Sequence, residues 1–254
     1  MSSSTFKYIS HKDIDKVKWD NLVVQAANAL VFQYSWYMDT FCTWNAIVLN
    51  DYDGAIALPT TNKFGISQVY QPNFIQKNNW FGTPISESQI KEVAQLISSK
   101  FSRTLFNTNL LMNEKVSERI NMVLKINDYT TCAKNYSKSL SKNINNNKTK
   151  LEIRTEINIT QTIAFYKAAY GKLNPQLKDT DYNKLNNLAN RYPQHFVNIH
   201  LYHNSAAVAS LLFAKGENRL HYILGAPNDL GRKLNALSVG IDYVIKNYTG
   251  KDNI

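Results

Sequence analysis

The sequence predicts an α+β protein of two successive lobes, each a mostly antiparallel mixed sheet flanked by helices. Three observations lead there. Apolar spacing switches repeatedly between helical and strand periods along the 254 residues. The order strand, helix, helix, antiparallel strands, helix occurs once in each half, without a residue-level repeat. A stretch rich in lysine and asparagine, with no acidic residue, runs from 136 to 150 and marks a change of composition. The join is placed just before it, giving lobes 1–133 and 134–254.

The elements follow in order. TFKYI near the N-terminus reads as a short strand. From Asp13 to Ala27, Ile14, Val17, Trp19, Leu22, Val23 and Ala26 fall at helical spacing, and a second short helix is expected over 32–41. WNAIVLN (44–50) and GAIALPT (54–60) flank the turn signal Asp51-Tyr52-Asp53 and read as a β-hairpin. A strand over 66–70 stops at Pro72. Ser86 with Gln89 forms a capping-box pattern for a helix to Ser99, striped by Ile90, Val93, Ala94 and Ile97. Short strands are expected over 103–107 and 121–126. In the second half Tyr136, Leu140 and Ile144, four apart, put one narrow apolar stripe on a basic helix. A strand LEIRTEI, helices over 160–169 and 180–191, and the strands HFVNIHLYH, AAVASLLFAK and RLHYILGA precede a last helix over 233–248.

The net charge of +10 and a pI near 9.4 favour anionic partners such as nucleic acid, phosphorylated donors or acidic surfaces. Cys42 and Cys132 lack both a disulfide framework and a metal-ligand spacing, which suits a reduced, cytoplasmic setting. No apolar run approaches the roughly 18 residues of a membrane span. His200 and His203, three apart on a strand, point to opposite faces, so no metal site is expected. The sequence has no Gly-x-Ser-x-Gly elbow, His-Glu-x-x-His pair or P-loop. Glu152, Glu156 and Asp181 are available bases, with nothing to single one out.

Three stretches carry a resemblance. YSKSLSKNI (136–144), IAFYKAAYGK (163–172) and NSAAVASLLFAKGENRLHYILGA (204–226) are similar, in this order, to segments of the second lobe of FemAB/FemX-type aminoacyl transferases. These are tandem members of the Gcn5-related N-acetyltransferase (GNAT) fold. The likeness covers most of 136–254 and, more faintly, the first half. It implies transfer of an acyl or aminoacyl group, without a covalent enzyme intermediate, from acyl-CoA or aminoacyl-tRNA to a small-molecule or peptide amine. The alternative is a non-catalytic GNAT-like binding protein that has lost its cofactor motif. Where GNAT enzymes show Gln/Arg-x-x-Gly-x-Gly/Ala, this chain has Asn228, Gly231 and Lys233, so only the central glycine is kept. The chain also stops at GKDNI, so it is expected to be shortened or truncated and the second sheet to lack its final strands.

The resemblance places the donor along Leu224, Gly225 and Ala226 and over Asn228, Gly231, Arg232 and Lys233. Amides at a helix start can hold a pyrophosphate, with Gly231 allowing close approach and Arg232 and Lys233 adding charge. The same residues also read as an ordinary turn capped by Asn228 or Asp229. Lys138 and Lys142 on the basic helix are candidates for phosphate contacts, tRNA included. Either His221 or Tyr222, not both, faces inward from the candidate donor strand. Trp36, Tyr70, Gln71 and Phe74 join aromatic and polar character and, with Tyr222, are the candidate acceptor residues in a groove between lobes.

Overall fold

A computed structural model describes residues 5–110, 117–125, 128–217 and 219–248. The chain divides into two compact units, 1–120 and 121–254. Each contains one sheet flanked by helices, as the sequence predicts.

In the first unit β1 (Phe6–Ile9) leads to α1 (Lys16–Gln25), whose N-terminus is capped by Asp15 Oδ1 accepting from the amides of Val17 and Lys18. Then come α2 (Ser35–Phe41), β2 (Thr43–Leu49), β3 (Gly54–Lys63), β4 (Ile66–Val69), β5 (Phe81–Gly82), α3 (Glu87–Lys100) and β6 (Arg103–Thr104). The sheet order is β1-β2-β3-β4-β6, with β5 pairing β3. Neighbours are antiparallel except β4 and β6, so the sheet is mixed. The expected hairpin is β2–β3, with Ile47 opposite Ile56. Its apolar run is continuous because both faces are buried. Ile47, Leu49, Ile56 and Leu58 pack with Val93 and Ile97 of α3. Trp44 instead meets Trp19 of α1 at 4.6 Å between ring centroids. The capping box of α3 is present: Ser86 Oγ accepts from Gln89 N, and Gln89 Oε1 accepts from Ser86 N.

The second unit holds α4 (Tyr129–Lys134), α5 (Lys138–Asn147), β7 (Glu152–Thr155), α6 (Ile159–Tyr170), α7 (Asp179–Arg191), β8 (Phe196–His203), β9 (Ala206–Lys215), β10 (Leu220–Pro227), α8 (Asp229–Lys233) and α9 (Ala236–Tyr248). Among the described residues its sheet is antiparallel throughout, in the order β10-β9-β8-β7. Alternation along β8 and β9 gives it two different faces. Val197, Ile199, Leu201, Leu211 and Phe213 form the core with Val239 and Val244 of α9. A side chain at Gly240 would crowd Leu211 and Leu201, so glycine lets α9 approach the sheet closely. The opposite face, carrying Asn198, His200 and Ser210, meets Thr162 of α6.

One expectation needs correction. No strand forms over 121–125, and residue 126 lies outside the described residues. Ile120, Met122, Val123 and Leu124 are instead exposed, because no sheet neighbour takes up their backbone or side chains. The expected last helix forms as α9, and a separate short helix, α8, precedes it within the junction; Asn235, at φ 51°, lies in the left-handed region between them. No helix among the described residues is long and apolar enough to cross a membrane.

Helices α4 and α5 are tied to α9 by one carboxylate. Asp242 accepts from Tyr129 Oη at 3.1 Å and from Tyr136 Oη at 3.0 Å. Replacing Asp242 by Ala leaves both phenols without this acceptor. It is expected to cost about 1–3 kcal/mol in urea unfolding and to speed proteolytic cleavage within residues 128–147.

Candidate functional site

The β10–α8 junction is built on β9. Asn228 N donates to the Val208 carbonyl at 2.9 Å, and Asn228 Nδ2 donates to Ala207 O at 3.3 Å. Asn228 Oδ1 accepts from Gly231 N at 2.8 Å, capping α8. Gly231 is buried here for a local reason. A methyl group at this position would lie 2.2 Å from Val208 O and 3.0 Å from Pro227 Cβ. Asn228 and Gly231 are therefore occupied with the turn itself, and the amide of Gly231 already has its acceptor. The side chains of Arg232 and Lys233 remain exposed. Arg232 lies 3.9 Å from Asp229 Oδ1 and over the Tyr170 ring at 5.9 Å. Both are weak, partly solvated contacts.

Upstream, β10 carries a bulge. Tyr222 pairs with Phe213 and Leu224 with Leu212, so Ile223 is the extra residue. The Tyr222 ring packs edge-on to Phe213 at 5.3 Å. Its hydroxyl lies over Gly225, 2.1 Å from where a Cβ would sit, so any larger residue there would push the Tyr222 ring aside. Leu224, Gly225 and Ala226 are buried and Tyr222 is partly exposed. Burial, with Tyr170 and Tyr166 close by, pushes the Tyr222 phenol far above the ordinary tyrosine value. It is a neutral hydroxyl at any physiological pH. Tyr166 and Tyr170 sit one turn apart on α6 with rings 5.4 Å apart, and Asn174 Nδ2 donates to Tyr166 Oη at 3.3 Å. The structure thus joins the expected donor strand and Arg232 to a tyrosine cluster that sequence reading did not single out. The spacing of Tyr166 and Tyr170 was the available signal, but both read equally well as core.

Lys138 and Lys142 lie one turn apart on the exposed side of α5. Of the available bases, Glu152 is bonded to Arg154 at 2.7 Å, which holds its carboxyl below the usual range. Asp181 Oδ2 accepts from Lys178 N at the start of α7. His200 is buried in the unit, whereas His203 Nδ1 donates to Lys150 O at 2.9 Å.

In the first unit the candidate acceptor residues gather on α2 and the loop between β4 and β5. Trp36 stacks on Tyr34 at 5.4 Å and touches Tyr37, while Phe41 packs on Phe74 at 5.7 Å. Phe74 has φ 62°, a strained value for an aromatic residue. Its carbonyl accepts from Tyr37 Oη at 2.9 Å. Gln71 Oε1 accepts from Asn107 N at 2.8 Å and its Nε2 donates to Ile75 O, so its amide holds the loop together. Tyr70 N donates to Pro59 O at 3.0 Å. Gln33 Nε2 donates to Asn79 O at 2.6 Å. Sequence reading missed Asn78, which is fully buried, with neither end of its side-chain amide hydrogen-bonded to protein among the described residues. A buried amide of that kind calls for a polar partner.

Against known proteins, no family model matches the sequence, and no curated protein matches it. Solved structures do. The chain is similar to FemX, with a TM-score of 0.64 and 8% identity over 95% of this chain and 85% of that one. The two units, each a sheet flanked by helices, share the FemX fold and are consistent with a tandem GNAT-like α+β arrangement. A conserved protein of unknown function from Bacteroides thetaiotaomicron VPI-5482 is also similar, with a TM-score of 0.54 and 11% identity over 96% of this chain and 88% of that one. At such identities the likeness speaks to fold.

Two outcomes test these packing assignments. Gly231→Ala is expected to destabilise the protein by about 1–3 kcal/mol through overpacking, measured by urea unfolding, with or without any ligand. Tyr37 is fully buried, and burial drives its phenol well above the ordinary value near 10. Above about pH 10 the unfolded chain releases a proton that the native state keeps, so stability falls as pH rises. Tyr37→Phe is expected to lose one hydrogen bond at neutral pH and to flatten the alkaline limb of stability against pH.

Proposed function

We propose that the protein is an acyl- or aminoacyl-transferase of the GNAT/FemX type that passes its group to an amine. The donor lies against the end of β10 at Leu224, Gly225 and Ala226, alongside the Tyr222 hydroxyl and on the side of Arg232 and Lys233. The observation that carries this reading is the bulged end of β10. It sets a neutral phenol over the one glycine in the strand, near Tyr170, over whose ring the exposed Arg232 lies, in a fold shared with FemX. A neutral hydroxyl beside a carbonyl can donate to oxygen that gains negative charge as an amine attacks. Trp36, Tyr70, Phe74 and the buried amide of Asn78 belong to the acceptor region of the first lobe, with Gln71 holding its loop.

Between the two donors, the junction favours aminoacyl-tRNA. A CoA thioester carries a pyrophosphate that seeks unsatisfied amides at a helix start. Here the Gly231 amide is capped by Asn228, and α8 has only five residues. The 3′ end of tRNA makes no such demand, and Lys138 and Lys142 suit contacts to its phosphates. The same capped junction supports a second reading, a GNAT-like protein that binds its partners without catalysing transfer.

Calorimetric titration with aminoacyl-tRNA, acetyl-CoA and longer acyl-CoAs tests the proposal. Aminoacyl-tRNA is expected to bind, with affinity falling steeply as salt rises. Replacing Arg232 and Lys233 together by Ala is expected to weaken it about tenfold while leaving the fold intact, since both side chains are exposed. Binding without turnover of an added amine supports the second reading. Absence of binding by every donor excludes the transferase.

A further inference from the structure

The face of the second sheet that meets α6 is polar at its centre. Asn198 and His200 of β8, Ser210 of β9 and Thr162 of α6 are each no more than 1% exposed. They are hydrogen-bonded to one another in a closed ring, and the direction of every bond can be derived. Asn198 Oδ1 accepts from Asn158 N at 2.9 Å, and Asn198 Nδ2 donates to Leu211 O at 2.9 Å, so this amide cannot be turned over. Oδ1 can only accept, so His200 Nε2, 3.2 Å away, carries a hydrogen. A neutral imidazole then has its lone pair on Nδ1, and the Ser210 hydroxyl donates to it at 3.0 Å. Ser210 Oγ in turn accepts from Thr162 at 2.7 Å, and Thr162 Oγ1 accepts from Asn198 Nδ2 at 2.9 Å. All four bonds run the same way round.

A proton arriving from solvent at Nδ1 reverses half of this ring. Nδ1–H donates to Ser210, Ser210 donates to Thr162, and the Thr162 proton turns to the Asn158 carbonyl, a longer contact at 3.4 Å. Every contact of the ring is kept, but the ring now surrounds a buried charge that water would solvate better. Burial holds the His200 imidazole below its ordinary value, with Glu156 opposing that shift in part. Arg154 lies opposite His200 on β7 but directs its guanidinium to Glu152 and over the Tyr202 ring. β9 and α6 contribute only the hydroxyls of Ser210 and Thr162 to the ring.

We propose that this ring is a pH-responsive latch on the start of α6. Neutral His200 and the Asn158 amide share one acceptor, Asn198 Oδ1, and Asn158 is the residue whose side chain caps α6 through Gln161 N at 3.1 Å. A charged imidazole is better solvated once this end of α6 opens, so proton uptake favours opening of that anchor. The latch adjoins the candidate donor strand, because Ser210 pairs with Ala226 and α6 carries Tyr166 and Tyr170. It stands independently of the proposed activity.

Nitrogen-15 NMR of the histidine rings and amide hydrogen exchange on the full chain, from pH 8 to pH 5, test the latch. His200 is expected as the Nε2–H tautomer at pH 8. Protection factors in the first turn of α6 are expected to fall on the order of tenfold, about the worth of one hydrogen bond, as it titrates, while those of α9 hold. Thr162→Val removes the hydroxyl that receives the Ser210 proton in the charged state, so His200 should titrate at lower pH than in the wild type. An Nδ1–H tautomer, α6 protection indifferent to the titration, or a Thr162→Val variant titrating like the wild type overturns the proposal. The wild-type spectra decide tautomer and coupling even where the variant fails to fold.

Discussion

Strand β9 must satisfy three different neighbours at once, and the second unit is organised around that demand. One face supplies Leu211 and Phe213 to the apolar core under α9. The other supplies Ser210 to the hydrogen-bonded ring under α6. At its start, the Val208 carbonyl receives Asn228 N and sits directly beneath Gly231. A one-residue slip of β9 would exchange its two faces, moving Leu211 into the polar ring and Ser210 into the core. It would also shift the carbonyl on which the β10–α8 turn rests. The site region is therefore held by strand register, a property of the whole sheet.

That dependence explains the character of the junction. Glycine and asparagine there serve close packing and capping, which use up groups that could otherwise hold a pyrophosphate. Under the proposed function, what remains for the donor is the exposed cation pair, the bulged strand end and the phenol above Gly225. A turn this tightly packed resists change in its backbone but tolerates change in Arg232 and Lys233. On that proposal, recognition can be retuned through side chains alone.

The parts of the fold that local chemistry determines were legible in the sequence. The β2–β3 hairpin followed from its turn residues, and the α3 capping box from Ser86 and Gln89. Gly231 stood out as special, but the reason, a carbonyl 23 residues earlier on another strand, is not local. The polar ring was illegible for the same cause. Thr162 and Ser210 are separated by 48 positions and meet only after α6 packs on the sheet. His200 drew attention through its spacing from His203, whereas its real partners are two residues back and on the next strand. The last helix, α9, followed from its periodicity, whereas the separate five-residue α8 before Asn235 was not foreseen, because a single turn of helix leaves no periodic signal. Apolar character alone misled at 121–125, where strand-like residues find no sheet to join.

Those exposed residues, Ile120, Met122, Val123 and Leu124, have a bearing on how the molecule behaves in bulk. Four large apolar groups in solvent favour sticking between copies. A net charge of +10 keeps like molecules apart, but only over the reach of the ionic atmosphere. Salt weakens that repulsion while leaving apolar attraction intact. Colloidal solubility is therefore tied to low ionic strength, the same regime in which the protein would hold an anionic partner.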